Sequence, residues 1–291
     1  MMTPYDVLIA PFADYAFMRR ALAGSLAISI GAAPVGVFLM LRRMSLVGDA
    51  MAHAILPGAA IGYLLFGLSI IPMTVGGIAA GLVVALSAGL VARTTILNED
   101  ASLAAFYLIS LALGVLIVSA KGTSVDLMHV LFGTVLALDD AALMFLGAAA
   151  TVSLLVVALI LRPLVAECVD PAFLIVARGP GTLVHLAFLV LVVLNLVAGF
   201  QALGTLLAVG IMMLPAAAAR LWSRDLGPML AISMLIAVTS STVGLLISYH
   251  FSLASGPSIT MAAGTFYVIS LMIGPVSGAV WHLVPKHHRA A

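Results

Sequence analysis

Residues 182–199 read TLVHLAFLVLVVLNLVAG, eighteen residues without a charged side chain. The hydrocarbon core of a bilayer is about 30 Å thick, which takes about 20 apolar residues of α-helix to cross. Backbone polar groups in lipid must be satisfied within the segment, so a helix is the form such a run takes. Comparable runs recur near 18–41, 48–66, 70–92, 102–119, 141–161, 203–221, 228–249 and 259–283. With 182–199 that makes nine candidate spans, a count open by one. Composition agrees: 64% of residues are hydrophobic and 8% charged, against roughly 45–50% and about 25% in soluble domains. The fold class read from these runs is an all-α polytopic membrane protein of about eight to nine transmembrane helices, one transmembrane domain over 1–291. Residues 121–140, KGTSVDLMHVLFGTVLALDD, are too polar for a lipid-facing span and read as an outer helix or a re-entrant piece packed on protein.

Several classes drop out. A net charge of +1 argues against nucleic acid as a partner. A single cysteine, Cys168, excludes an internal disulfide. No cleavable signal peptide is read, because Asp6 and Asp14 precede an apolar run long enough to span. No Walker A pattern occurs; Gly179-Pro-Gly181 lacks the lysine and hydroxyl that grip phosphate. Any ATP used must be bound by another chain. HExxH, the mark of a zinc protease helix, is also missing.

Lys and Arg set the orientation. With the N-terminus outside, Arg42, Arg43, Arg93, Arg162, Arg178, Arg220, Arg224, Lys286 and Arg289 fall inside, nine of twelve basic residues. Residues 1–16 then form an outer segment, 163–180 a cytoplasmic loop and 285–291 a cytoplasmic tail. Small-residue pairs at helical spacing, Gly58/Gly62, Gly77/Gly81 and Gly274/Gly278, read as close helix packing. Pro34, Pro57, Pro72, Pro215 and Pro275 lie in or beside spans, where kinked or broken helices line pathways.

Residues 162–181, RPLVAECVDPAFLIVARGPG, specify a short helix near 171–178. Asp170 caps it, Pro171 takes the first position and Gly179 stops it. Phe173, Leu174, Ile175 and Val176 in a cytoplasmic loop make an apolar surface that either docks a partner or folds back on the bundle.

The chemistry concentrates in 48–58, GDAMAHAILPG. Asp49 and His53 stand at i and i+4 and share a helix face. An ionised aspartate at membrane depth costs several kcal/mol unless it lines water, pairs or binds a cation. Asp49 also reads as a cap near the interface, and His53 as a donor to a neighbouring carbonyl. The pair beside Pro57 favours a cation pathway. Carboxylate oxygen and neutral imidazole suit Zn²⁺, and also Mn²⁺ or Fe²⁺. If two copies meet at these faces, two Asp and two His converge on one ion. Uptake then weakens as pH falls, because only neutral imidazole binds metal. His185, alone in its apolar run, reads as a core histidine, and Asn195 as interhelical glue. Thr239-Ser-Ser-Thr242 reads as pore lining or as bonds back to its own helix. Asp126, His129, Asp139 and Asp140 read as solvated, and no role is read for His250.

The stretch Arg42-Arg43-Met-Ser-Leu-Val-Gly-Asp49-Ala-Met-Ala-His53-Ala-Ile-Leu-Pro57-Gly58 resembles the signature of the ABC-3 permeases, which belong to zinc, manganese and iron ABC importers. Gly204-Thr-Leu-Leu-Ala-Val-Gly-Ile-Met-Met-Leu-Pro215-Ala-Ala-Ala-Ala-Arg220-Leu is a second match, and Ser248-Tyr-His-Phe-Ser-Leu-Ala-Ser-Gly-Pro257 a partial third. The resemblance runs from about 17 to 283. It implies a type II importer bundle like that of the cobalamin permeases. It further implies a homodimer, two cytoplasmic ATPase subunits and a periplasmic or lipoprotein metal-binding partner in a bacterial plasma membrane. Asp49 and His53 carry over as intramembrane metal ligands, and the segment around Asp170, Pro171, Phe173 and Leu174 as the helix coupled to the ATPase. Two departures stand out. Val169 precedes Asp170 where the family often has Phe, and Ser252 and Ala254 replace an outer Asp and Pro. The expected function is a non-enzymatic metal import subunit without a resident cofactor, zinc first and manganese next as cargo. The alternative is a stand-alone proton-coupled metal carrier.

Overall fold

The computed structural model describes residues 4–44, 46–67, 69–120, 138–169, 180–276 and 278. Over these the chain forms α1 (Pro4–Leu8), α2 (Ala10–Asp14), α3 (Ala16–Leu41), α4 (Val47–Ala54), α5 (Leu56–Phe66) and α6 (Ile70–Thr94). Then follow α7 (Glu99–Ala120), α8 (Asp140–Val169), α9 (Gly181–Leu203), α10 (Thr205–Trp222), α11 (Leu226–Phe251) and α12 (Ser255–Ile273). Among the described residues there are nine crossings long and apolar enough for a membrane, α4 and α5 together making one. The expected all-helical class and span number both hold.

Helices α3 and α9 are the core. In each, 72% of the apolar window is buried, against 22% for α7 at the periphery. α3 packs on α8, α9, α10 and α11. Phe38 of α3 meets Phe188 of α9 edge to face, ring centroids 6.4 Å apart. Several polar side chains inside this core are tied down across helices, as burial favours. Ser29 Oγ lies 2.8 Å from Ser241 Oγ across α3 and α11. Asn195 donates to Ser153 Oγ at 2.7 Å and to the Leu191 carbonyl at 2.8 Å, the interhelical role expected of it. Thr239 and Thr242 bond back to carbonyls of their own helix.

Successive crossings alternate in direction. One end of the bundle therefore holds the start of α3 and the α7–α8 connection, and the other holds the α3–α4, α6–α7 and α8–α9 connections. Arg20–Asp140 at 2.9 Å ties elements at the first end. Arg220 donating to the Met40 carbonyl at 3.1 Å ties elements at the second. Among the described basic residues, Arg42, Arg43, Arg93, Arg162, Arg220 and Arg224 lie toward the second end, and Arg19 and Arg20 at the first.

Three local differences from the sequence reading matter. The hydrogen-bond ladder of the second crossing is interrupted near Ile55, whose own backbone stays helical at φ −73°, ψ −26°. Pro57 has no N–H to bond the His53 carbonyl, so one ladder bond is missing inside an otherwise continuous span over Val47–Phe66. α8 runs on through Arg162 and Pro163 to Val169, so 163–169 are helix and only 170–180 remain as the connection. α12 stops at Ile273, with Gly274 as its C-cap; the Gly274/Gly278 pair lies beyond the span instead of packing within one. Gly58 does pack as expected, since a Cβ there would come within 1.9 Å of the Gly76 carbonyl oxygen. Backbone cannot yield as a side-chain tip can, so Gly58→Val forces α5 off α6. We expect a loss of about 1–3 kcal/mol or more from such overpacking. Thermal stability of the detergent-solubilised protein measures it, and an unchanged midpoint contradicts the close α5–α6 contact.

Candidate metal site

Helix α4 is short, eight residues between a turn at Leu46 and the ladder interruption at Ile55 that Pro57 causes. One of its faces is buried, with Val47, Gly48, Met51 and Ala54 packed inward. The opposite arc carries Asp49 and His53. The Asp49 side chain is 73% exposed and His53 is 32% exposed. Asp49 makes no side-chain cap of α4, so the capping role drops away. Asp49 Oδ1 lies 4.0 Å from His53 Nε2, too long for a hydrogen bond but short enough for one ion to bridge the two atoms. The His53 ring lies 6.3 Å from that of Tyr107 on α7.

A cleft of about 120 Å³ between α4 and α7 is lined by Val47, Asp49, Asp100, Leu103 and Tyr107, among others. Asp100 was missed by sequence reasoning. It sits in the first turn of α7, where Glu99-Asp100 looks like an ordinary acidic helix start. A second carboxylate opening the span after the Asp–His segment was the available signal. Among the described residues no group of three or more His, Cys, Asp or Glu is assembled for a metal. Asp49 and His53 are thus two potential donors on one helix face, with the Asp100 carboxylate lining the adjacent cleft.

The other flagged residues fall into structural roles. Asp139 Oδ1 accepts from the Ala142 N–H at 2.8 Å and caps α8, while Asp140 pairs with Arg20. His250 Nε2 donates to the Val7 carbonyl at 3.0 Å, and Tyr249 meets Tyr15 with ring centroids 5.7 Å apart. Together they seat α1–α2 on the end of α11. His185 is buried, as expected of a core histidine, but its surroundings are polar: Arg42 and Glu167 converge on it. Asp126, His129 and the residues expected to couple to an ATPase, Asp170, Pro171, Phe173 and Leu174, lie outside the described residues.

Comparison with known proteins agrees with this architecture. A family model, the ABC 3 transport family, matches residues 14–274. The manganese import system permease protein ScaB of Streptococcus parasanguinis is 34% identical over 288 residues, 96% of this chain and 100% of that protein. The chelated iron transport system membrane protein YfeD of Yersinia pestis is 30% identical, over 92% of this chain and 89% of its own length. Among solved structures, PsaBC from Streptococcus pneumoniae in complex with Fab superposes with a TM-score of 0.82 at 32% identity, covering 95% of this chain and 98% of that one. With a family match across nearly the whole membrane bundle and full-length relatives above 30% identity, the chain belongs to the ABC 3 transport family.

Proposed function

We propose that this chain is the membrane-spanning permease of an ATP-binding-cassette importer that carries a divalent transition metal into a bacterial cytoplasm. One observation carries the reading most directly. Asp49 and His53 sit on one face of a membrane-length span, at bridging distance, with no hydrogen bond between them. An exposed carboxylate in such a span is stabilised by a passing cation.

Two donors hold an ion weakly, and a second copy facing the first across a two-fold axis makes four, two oxygens and two nitrogens. Such a mixed set accommodates Mn²⁺, Fe²⁺ and Zn²⁺. The relatives named for manganese and iron move manganese ahead of zinc as the expected cargo. The arginine-rich end of the bundle faces the cytoplasm by the positive-inside rule, with the N-terminus outside. Metal arrives from an extracytoplasmic binding protein, meets the Asp–His pairs and leaves past Asp100. Two ATPase subunits docked at the 170–179 connection supply the energy; the chain itself catalyses nothing.

Vesicles test the reading. The permease and its ATPase, reconstituted in liposomes with the ATPase and ATP enclosed in the lumen and the metal-loaded binding protein outside, take up manganese. Uptake by the permease alone under a pH gradient would establish the proton-coupled carrier in its place.

A further inference from the structure

At the arginine-rich end three buried polar residues meet from three helices. Arg42 is the C-cap of α3. Its Nη2 lies 3.1 Å from Glu167 Oε1 in the last turn of α8 and 2.5 Å from His185 Nδ1 near the start of α9. The side chains are 10%, 7% and 4% exposed respectively. The guanidinium also stacks over Phe188, its carbon 5.2 Å from the ring centroid. Arginine is always a donor, so His185 Nδ1 accepts, which places the ring proton on Nε2. The 3.7 Å approach of His185 to Glu167 is then two acceptors gathered on one N–H group, not an ion pair. Arg42 Nη1 and Glu167 Oε2 are buried with no hydrogen-bond partner among the described residues.

This is a poor arrangement for stability alone. A buried ion pair seldom outperforms apolar packing of the same volume, and each unfilled polar atom adds a further cost. What it provides is register between particular elements. Glu167 and His185 belong to the two helices that bracket residues 170–179. Arg42 ends the helix that leads, seven residues later, to Asp49. A guanidinium with five donors and an unfilled arm can exchange partners as helices shift, where an apolar contact only slides.

The geometry points to Arg42, Glu167 and His185 as positioning residues that link movement of the α8–α9 connection to the α4 segment bearing the metal ligands. This rests on the importer reading above. In the resting arrangement Arg42 holds the α3–α4 turn against α8 and α9. When the ATPase draws on the connection, Glu167 and His185 move with their helices, and Arg42 carries that displacement into α4. The three touch no metal.

The test uses the full permease–ATPase complex in proteoliposomes together with the extracytoplasmic binding protein, with manganese as the probe, and reads metal taken up per ATP hydrolysed. Arg42→Met with Glu167→Leu replaces the pair by apolar bulk. This double variant is expected to assemble with the ATPase and match wild-type thermal stability, yet to lose about tenfold in uptake per ATP. His185→Asn keeps an acceptor at the Nδ1 position and retains coupling, whereas His185→Leu loses it. Wild-type coupling in the double variant overturns the assignment. So does failure of that variant to assemble, since the trio would then be a folding element. If the wild-type complex itself shows no ATP-driven manganese uptake, the importer reading fails instead, and the two outcomes are distinct.

Discussion

Asp49→Ala and His53→Ala are each expected to lower ATP-driven manganese uptake by about a hundredfold or more, which corresponds to ~3 kcal/mol of lost binding. The size of the effect comes from the proposed two-fold symmetry. In that proposal one chain contributes one oxygen and one nitrogen donor, so a substitution removes two of four ligands at once. Neither change should harm the fold. The Asp49 side chain is 73% exposed and bonds no neighbour in the core. Removing a carboxylate from a membrane span lowers the cost of inserting it. Both variants should therefore reach the membrane and co-purify with the ATPase at wild-type levels. Vesicle uptake measures the loss, and wild-type rates in both variants would leave the proposed pathway without a chemical centre. Asp100→Asn separates release from binding. It keeps the α4 pair intact and should slow release toward the cytoplasm, with a smaller loss of turnover and unaltered metal affinity in equilibrium binding.

Much of this architecture was legible in the sequence, for a specific reason. A bilayer imposes one length and one composition on every crossing, so nine runs of the right kind foretold nine crossings. The Asp49–His53 pair was legible because its donors are four residues apart on one helix, a spacing that fixes a shared face. What escaped was tertiary. Arg42 read as a positive-inside signal and His185 as a solitary core histidine. Their meeting spans 143 positions of chain, and no local periodicity encodes it. Asp100 escaped for the same reason, because α4 and α7 are brought together by packing and not by spacing. The end of α8 was misplaced because Arg162-Pro163 resembles a helix stop. A proline inside a long apolar helix is tolerated where neighbours satisfy the freed carbonyl.

Phe173→Glu should separate the permease from its energy source. Residues 173–176 read Phe-Leu-Ile-Val between Asp170-Pro171 and Gly179, local signals that start and stop a helix of about two turns. Four consecutive apolar residues in the connection after α8 call for a covering surface, which the proposed function assigns to the ATPase. A buried aromatic in such a surface is commonly worth 2 kcal/mol or more, about thirtyfold in affinity. An added carboxylate must also be desolvated to dock. The expected result is loss of the ATPase on purification and loss of metal-stimulated ATP hydrolysis. Phe173→Leu, still apolar, should retain both. This outcome differs in kind from that of Asp49→Ala, which keeps the ATPase bound and loses only metal movement. A permease that retained its ATPase and its stimulated hydrolysis as Phe173→Glu would place the docking surface elsewhere. The arginine-rich end offers the α6–α7 connection, residues 95–98, as the next surface to probe.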